Sequence, residues 1–183
     1  MRSFVRVLAL AWLATTAGAR PDGLAQAVSA AARGELRDAY RAAEGETDPV
    51  RRSQALLHVL HHAGDLGGAY RAGRAGLESA PSDLWLLERT AYLALSLRAA
   101  ADARELVERF ERALAASELE GQQREDWARA LAEHRREARN LLELDAATRS
   151  AALRAQVVVG AAGLITLWLL TRLGGRSIPT EAG

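Results

Sequence analysis

One stretch of the sequence occurs twice: Gly34-Glu35-Leu36-Arg37-Asp38-Ala39-Tyr40-Arg41-Ala42 returns thirty residues later as Gly64-Asp65-Leu66-Gly67-Gly68-Ala69-Tyr70-Arg71-Ala72. The shared pattern is Gly-acid-Leu-x-x-Ala-Tyr-Arg-Ala. An internal repeat at this period is typical of helical arrays in which each unit packs on its neighbours. Such arrays usually bind other proteins, so the repeat favours an interaction module over an enzyme.

The composition predicts an all-α chain. Hydrophobic residues make up 49% of the 183 residues and aromatic residues only 5%, because most of the apolar content is Ala and Leu. Both are strong helix formers. A net charge of +1 gives no reason to expect nucleic acid as a partner, and the absence of cysteine excludes disulfides and thiolate chemistry. No nucleophile motif or phosphate-binding loop is present, so we expect neither an enzyme nor a cofactor.

Residues 1–19 have the pattern of a secretory signal peptide. A basic start precedes an apolar middle, residues 7–14, and Ala17-Gly18-Ala19 offers a small-x-small cleavage site before Arg20. The alternative is an uncleaved anchor helix. We favour cleavage because the apolar run is too short to span a bilayer comfortably.

Residues 154–172 predict one transmembrane helix. The run from 155 to 171 carries no charge and lies between Arg154 and Arg172. At ~1.5 Å per residue it extends about 25 Å, slightly less than a ~30 Å hydrocarbon core, and arginines at its ends can reach the interface. Trp168 lies where an interfacial aromatic residue is expected. The alternative is a buried core helix, but this run is apolar on every side.

The signal peptide and the single span together predict the topology. After cleavage the body of the chain lies outside the cytoplasm, and residues 173–183 form a short cytoplasmic tail. We therefore expect a single-pass protein of the bacterial inner membrane with its soluble part in the periplasm. The charges that flank the span do not decide the orientation by themselves.

Between the two ends the sequence predicts three helix pairs and one long helix. Asp48 is expected to cap a helix that begins with Pro49, and Ser82 to cap another. Gly34, Gly64 and Gly121 are expected at helix C-termini. The predicted pairs are 24–33 with 35–44, 50–62 with 65–79, and 84–98 with 101–116; the long helix covers 122–149 and could continue into the apolar run.

The second pair resembles the tetratricopeptide repeat (TPR) family, whose 34-residue unit is two antiparallel helices. Residues 64–81 look like the second helix and closing turn of that unit. Ala69 and Gly76 match its small-residue sites, and Pro81 matches its closing proline. The next unit fits with Ala91 and Ala103, although Phe110 replaces a small residue; the first fits only over 34–42.

The resemblance implies a short TPR-like α-solenoid of about three helix pairs over residues 20–120. Another kind of α-solenoid is the alternative. The charged segment 121–153 is then expected to cap the open end of the last repeat and to continue as a stalk. A dimerising helix is the alternative role for this segment, so self-association is possible.

The resemblance also implies a groove for a protein or peptide partner, because the first helix of each TPR pair lines the concave face. Helical spacing places the residues from the second unit on one stripe. The alternative for Trp85 and Tyr92 is packing against neighbouring helices. The expected groove residues are Arg51, Gln54, His58, His61, His62, Trp85, Glu88, Tyr92 and Ser96.

The histidines suggest a second hypothesis. His58 and His62 are four residues apart and are able to share a metal, with Glu88 as a third ligand if the helices stack as proposed. Two imidazoles are too few for a firm site, so no metal is predicted.

The predicted function is a membrane-anchored periplasmic scaffold that brings proteins together in an envelope complex. Its layout is similar to that of TPR proteins of Bat-type (aerotolerance) operons and of TPR segments that serve cytochrome c assembly, by analogy only. One alternative is a tail-anchored cytosolic adaptor resembling the mitochondrial fission TPR adaptor, which requires the signal peptide to be misread. The other is a periplasmic domain that binds metal through His58 and His62.

Overall fold

A computed structural model describes residues 23–174 of the chain. The predicted signal peptide and residues 175–183 of the predicted tail lie outside the described residues. The chain divides into two compact units, Met1–Leu141 and Leu142–Gly183.

The described residues form seven α-helices and no strand, which confirms the all-α prediction. The predicted helices agree with the observed ones to within a few residues, and the last helix runs through the apolar segment without a break. The helices are α1 (Gly23–Ala32), α2 (Leu36–Glu44), α3 (Pro49–His62), α4 (Leu66–Ser79), α5 (Leu84–Ser96), α6 (Ala100–Ala116) and α7 (Gly121–Gly174).

Aspartates cap the first helix of the second and third pairs. Asp48 Oδ1 accepts hydrogen bonds from the backbone N–H groups of Val50 and Arg51 at 2.8 and 2.9 Å, as predicted. The prediction for Ser82 was wrong, because Asp83 caps α5 by accepting from the N–H of Leu86 at 2.8 Å. The helix begins at Leu84, as predicted, so its cap is the residue directly before it, and a carboxylate at that position is also stabilised by the positive end of the helix dipole.

Glycines close the first helix of the first two pairs. Gly34 and Gly64 both have φ +81°. This left-handed conformation costs glycine little free energy, because glycine has no β-carbon. The residue after each glycine donates its N–H back into the helix, Glu35 to the carbonyl of Ala30 at 3.0 Å and Asp65 to that of Leu60 at 2.9 Å. The repeated Gly-acid dipeptide therefore ends one helix and leads into the next.

The third pair has the same turn without the glycine. Arg98 takes the left-handed position with φ +57°, and the N–H of Ala99 reaches the carbonyl of Ala94 at 2.9 Å. The prediction that Gly121 ends a helix was wrong. Its φ is also positive, at +56°, but it is the first residue of α7, and α6 has already ended at Ala116.

Helices that follow one another in the chain pack together from α1 to α6, and α1 also contacts α3. Alanine dominates the apolar cluster among α1, α2 and α3, whereas Leu, Val and Phe fill the larger cluster that extends from α3 to α7. Ala39 and Ala69 of the repeated motif are fully buried, as is Ala103 in the third pair. The motif therefore supplies core contacts between helices.

Helix α4 contacts both neighbours through glycine. A β-carbon on Gly76 would lie 2.8 Å from Cβ of Ser53 in α3 and 2.9 Å from Cδ1 of Leu86 in α5. Atoms do not approach this closely without displacement, so the position requires glycine.

Phe110, at a position where the TPR resemblance implies a small residue, is fully buried and lies edge-on to Trp127 of α7, with 5.8 Å between ring centroids.

The tyrosines of the two repeated stretches have different surroundings. Tyr70 donates from its hydroxyl to Asp102 Oδ2 at 2.8 Å and so links α4 to α6. Burial, with the hydrogen bond to Asp102, raises the pKa of Tyr70 to about 12. Tyr40, its counterpart in α2, is 41% exposed.

The unit after Leu141 exposes a long apolar surface. By length and composition alone, α7 is the one described helix that would be able to cross a membrane. The large apolar side chains exposed along it in this unit are Leu144, Leu153, Val157, Val158, Val159, Leu164, Ile165, Leu167, Trp168 and Leu169.

Replacing Arg98 with glycine is expected to stabilise the fold by about 1 kcal/mol, because the left-handed conformation then loses its β-carbon penalty. Chemical denaturation followed by circular dichroism measures the change in the free energy of unfolding. The matched change Gly64→Ala is expected to have the opposite sign, since a β-carbon there meets no atom within 4 Å and only the φ of +81° opposes it. A destabilised Arg98→Gly variant would contradict this account of the turn.

Candidate partner-binding face

Five rings from three helices form a continuous row on the first compact unit. His58, His61 and His62 lie in the last turns of α3, Tyr92 lies on α5, and His134 lies on α7. The ring centroids are 4.6 Å apart for His58 and His62, 6.4 Å for His61 and His62, 5.9 Å for His61 and Tyr92, and 6.5 Å for Tyr92 and His134. We call these five residues the ring row. It contains all four histidines of the chain.

Only part of the ring row faces outward. In α3, His61 and His62 are exposed and His58 is partly buried, beside the buried Ala55, Leu57 and Val59. In α5 the buried residues include Leu87, Ala91 and Ala94, and Tyr92 remains 40% exposed. The 3.6-residue period of the helix therefore explains the exposure of Tyr92, because the buried residues of α5 lie on the other side of that helix.

His58 and His61, at the α3 end of the row, are poor bases. Burial, with smaller contributions from the nearby His62, Arg89 and His61, lowers the pKa of His58 to about 4. Burial also lowers the pKa of His61, with smaller contributions from His62 and Arg89. Both rings are therefore neutral at neutral pH, and a neutral imidazole offers one hydrogen-bond donor and one acceptor.

His134 closes the other end of the row and was not predicted from the sequence. It is only 6% exposed, and its Nε2 lies 3.4 Å from Glu88 Oε1. Nδ1 is buried without a partner among the described residues. A signal was available in the sequence, because position 134 continues the spacing of Trp127, Leu131 and Ala138, which line the packed side of α7.

The predicted groove residues divide into accessible and structural ones. His61, His62, Tyr92 and Ser96 are exposed, while Arg51, His58, Trp85 and Glu88 are partly buried. Trp85 packs against the larger apolar cluster, which is the alternative considered for it. Gln54 is 8% exposed, and its side-chain amide donates to Asp83 Oδ2 at 3.2 Å.

Both carboxylate oxygens of Glu88 contact neighbouring side chains. Its Oε2 lies 3.1 Å from Nε of Arg89, and its Oε1 is the atom near His134. The residues that the structure describes contain no group of three or more His, Cys, Asp or Glu side chains arranged to hold a metal. Glu88 therefore does not complete a three-ligand site with His58 and His62.

No family model, curated protein or solved structure matches this chain. The ring row is therefore interpreted from its own contacts.

Asp83 connects the start of α5 to α3 beside this face. Its carboxylate both caps α5 and accepts a hydrogen bond from the side-chain amide of Gln54 in α3. Asp83→Ala is expected to cost about 2 kcal/mol or more, since it removes a cap and leaves a buried amide without its acceptor. Asp48→Ala, which removes a cap alone, is expected to cost about 1 kcal/mol. Chemical denaturation of both variants measures the loss in the free energy of unfolding that each substitution causes. Equal losses would show that the bond between Gln54 and Asp83 contributes nothing.

Proposed function

We propose that this chain is a membrane-anchored scaffold of the bacterial envelope whose short array of TPR-like helix pairs binds a protein or peptide partner. The observation that carries the proposal is the exposed part of the ring row. It lies on the first helices of two successive pairs, α3 and α5. In helical arrays this surface is where partners usually bind.

The packing of the described helices supports an array. The three pairs α1–α2, α3–α4 and α5–α6 each pack internally, and α2 contacts α3 just as α4 contacts α5. Each first helix ends in the same left-handed turn, at Gly34, Gly64 and Arg98. Units that contact only their neighbours are the defining property of helical repeat proteins.

The chemistry of the exposed surface suits recognition of a peptide. His61 and Tyr92 meet edge to face, with an angle of 82° between their planes, and Ser96 Oγ donates to the carbonyl of Tyr92 one turn earlier. Flat rings present apolar area at a small cost in conformational entropy, and Tyr is among the residues enriched at the centres of interfaces. The neutral imidazole of His61 adds hydrogen-bonding groups without the desolvation cost of a charge.

Helix α7 narrows the surface available to a partner. His134 lies against both Glu88 and Tyr92, and the side chain of Glu88 is only 15% exposed. We therefore place the contact on His61, His62 and the outer edge of α5, around Tyr92 and Ser96. Gln54, predicted as a groove residue, is instead buried and bonded to Asp83.

The exposed apolar residues of α7 support the membrane anchor. An uncovered apolar surface of this length is unfavourable in water and favourable in a bilayer. The periplasmic orientation depends on the signal peptide predicted from the sequence. Mass spectrometry of the mature protein tests it: a chain that begins at Arg20 supports export, and an intact Met1 would favour the cytosolic adaptor.

Site-specific photocrosslinking in cells tests the binding surface. A photoreactive amino acid at Tyr92 or at His61 is expected to give discrete covalent adducts with a partner protein. The same amino acid at Glu78, which is exposed on α4, is the matched control and is expected to give none. The adducts are read by immunoblotting of membrane fractions and identified by mass spectrometry.

Adducts at Glu78 with none at positions 61 and 92 would contradict the assignment of the surface. The absence of adducts at all three positions would contradict the scaffold itself. The double variant His61→Ala/Tyr92→Ala provides a second test. It is expected to reduce recovery of the same partner after chemical crosslinking, because the accessible rings supply most of the contact.

A further inference from the structure

His58 and His62 bring two imidazoles together on one side of α3. They are separated by four residues, which is one turn of helix, and their ring centroids are 4.6 Å apart with 47° between the ring planes. His61 lies between them in sequence, but its ring is 6.4 Å from that of His62 and faces Tyr92. The close pair is therefore His58 and His62.

We propose that His58 and His62 chelate a divalent late-transition-metal ion, Cu²⁺ in preference to Ni²⁺ or Zn²⁺, through one nitrogen of each ring. Water completes the coordination. The inference is independent of the proposed scaffold function, because it needs only the geometry of α3.

The spacing of the rings fits a shared ion. Imidazole nitrogens bind such metals at ~2.0–2.1 Å, so two nitrogens at adjacent corners of a square lie about 3 Å apart. Rings with centroids 4.6 Å apart meet this requirement with small side-chain rotations. Two histidines at i and i+4 of a helix are also the pair that zinc-binding helices use.

The cation close to the His58–His62 pair is matched by a carboxylate. Arg89 of α5 is the nearby cation, and its Nε lies 3.1 Å from Glu88 Oε2, which offsets its charge. The other groups that face the row from α5 and α7 are Tyr92 and His134.

The number of ligands selects the metal. Structural zinc takes four protein ligands, and the described residues offer no group of three or more at one place. Two nitrogens with water suit the tetragonal coordination of Cu²⁺, which also has the highest affinity in the divalent series. We therefore expect Cu²⁺ to bind most tightly, with Ni²⁺ and Zn²⁺ weaker.

Titration of the full chain in detergent micelles with Cu²⁺ tests the site by calorimetry and by electron paramagnetic resonance. The variant His62→Gln removes one ligand at an exposed position, and His61→Gln is the matched control on the same helical turn. We expect His62→Gln to weaken Cu²⁺ binding by about tenfold or more, as loss of a supporting metal contact typically does. We expect His61→Gln to change it less than about threefold, because its ring is not part of the pair.

The electron paramagnetic resonance spectrum reports the Cu²⁺ ligands directly, which a change in protein stability alone would not alter. The wild type is expected to show two coordinated imidazole nitrogens and His62→Gln only one. Circular dichroism of both variants verifies that α3 is intact. Equal Cu²⁺ affinity for the wild type and His62→Gln, or an equal loss in His61→Gln, would overturn the proposal.

Discussion

The close approach of α4 to α3 and α5 at Gly76 is the constraint on which the rest of the first unit depends. A β-carbon there would lie within 3 Å of atoms from both neighbours. With Gly76 in place, α3 and α5 both lie close against α4, and His61 of one helix reaches Tyr92 of the other. The proposed partner-binding surface is thus a consequence of packing by a residue that does not belong to it.

The sequence predicts the helices well because their signals are local. Asp48 with Pro49, and the glycines at 34 and 64, specify helix ends through hydrogen bonds a few residues long. Ser82 and Asp83 are both good N-caps and adjacent, so the length of the turn decides between them, and local rules do not fix that length. The left-handed conformation of Arg98 was not predicted, because arginine does not favour it and no local signal marks the position.

The candidate site is harder to predict because it depends on contacts between distant positions. Helical period places His58, His61 and His62 on one stripe, but it does not reveal that Gln54, on the same stripe, is buried against Asp83. His134 comes from a helix about forty residues farther along the chain than Tyr92, and only the packing of α7 brings it to the row. The exposed surface around His61 and Tyr92 is therefore proposed for a partner and the close pair of imidazoles for a metal. Gln54 and Trp85 pack within the fold.

The most direct measurement compares two single substitutions in α4 by chemical denaturation. Gly76→Ala is expected to destabilise the fold by about 1–2 kcal/mol, because the β-carbon has no room between α3 and α5. Gly67→Ala, whose β-carbon would meet no atom closer than 3.6 Å, is expected to be neutral or to stabilise by up to about 1 kcal/mol through higher helix propensity. If both changes have the same effect, close packing at Gly76 is not what holds α3 and α5 in place, and the account of the first unit is wrong.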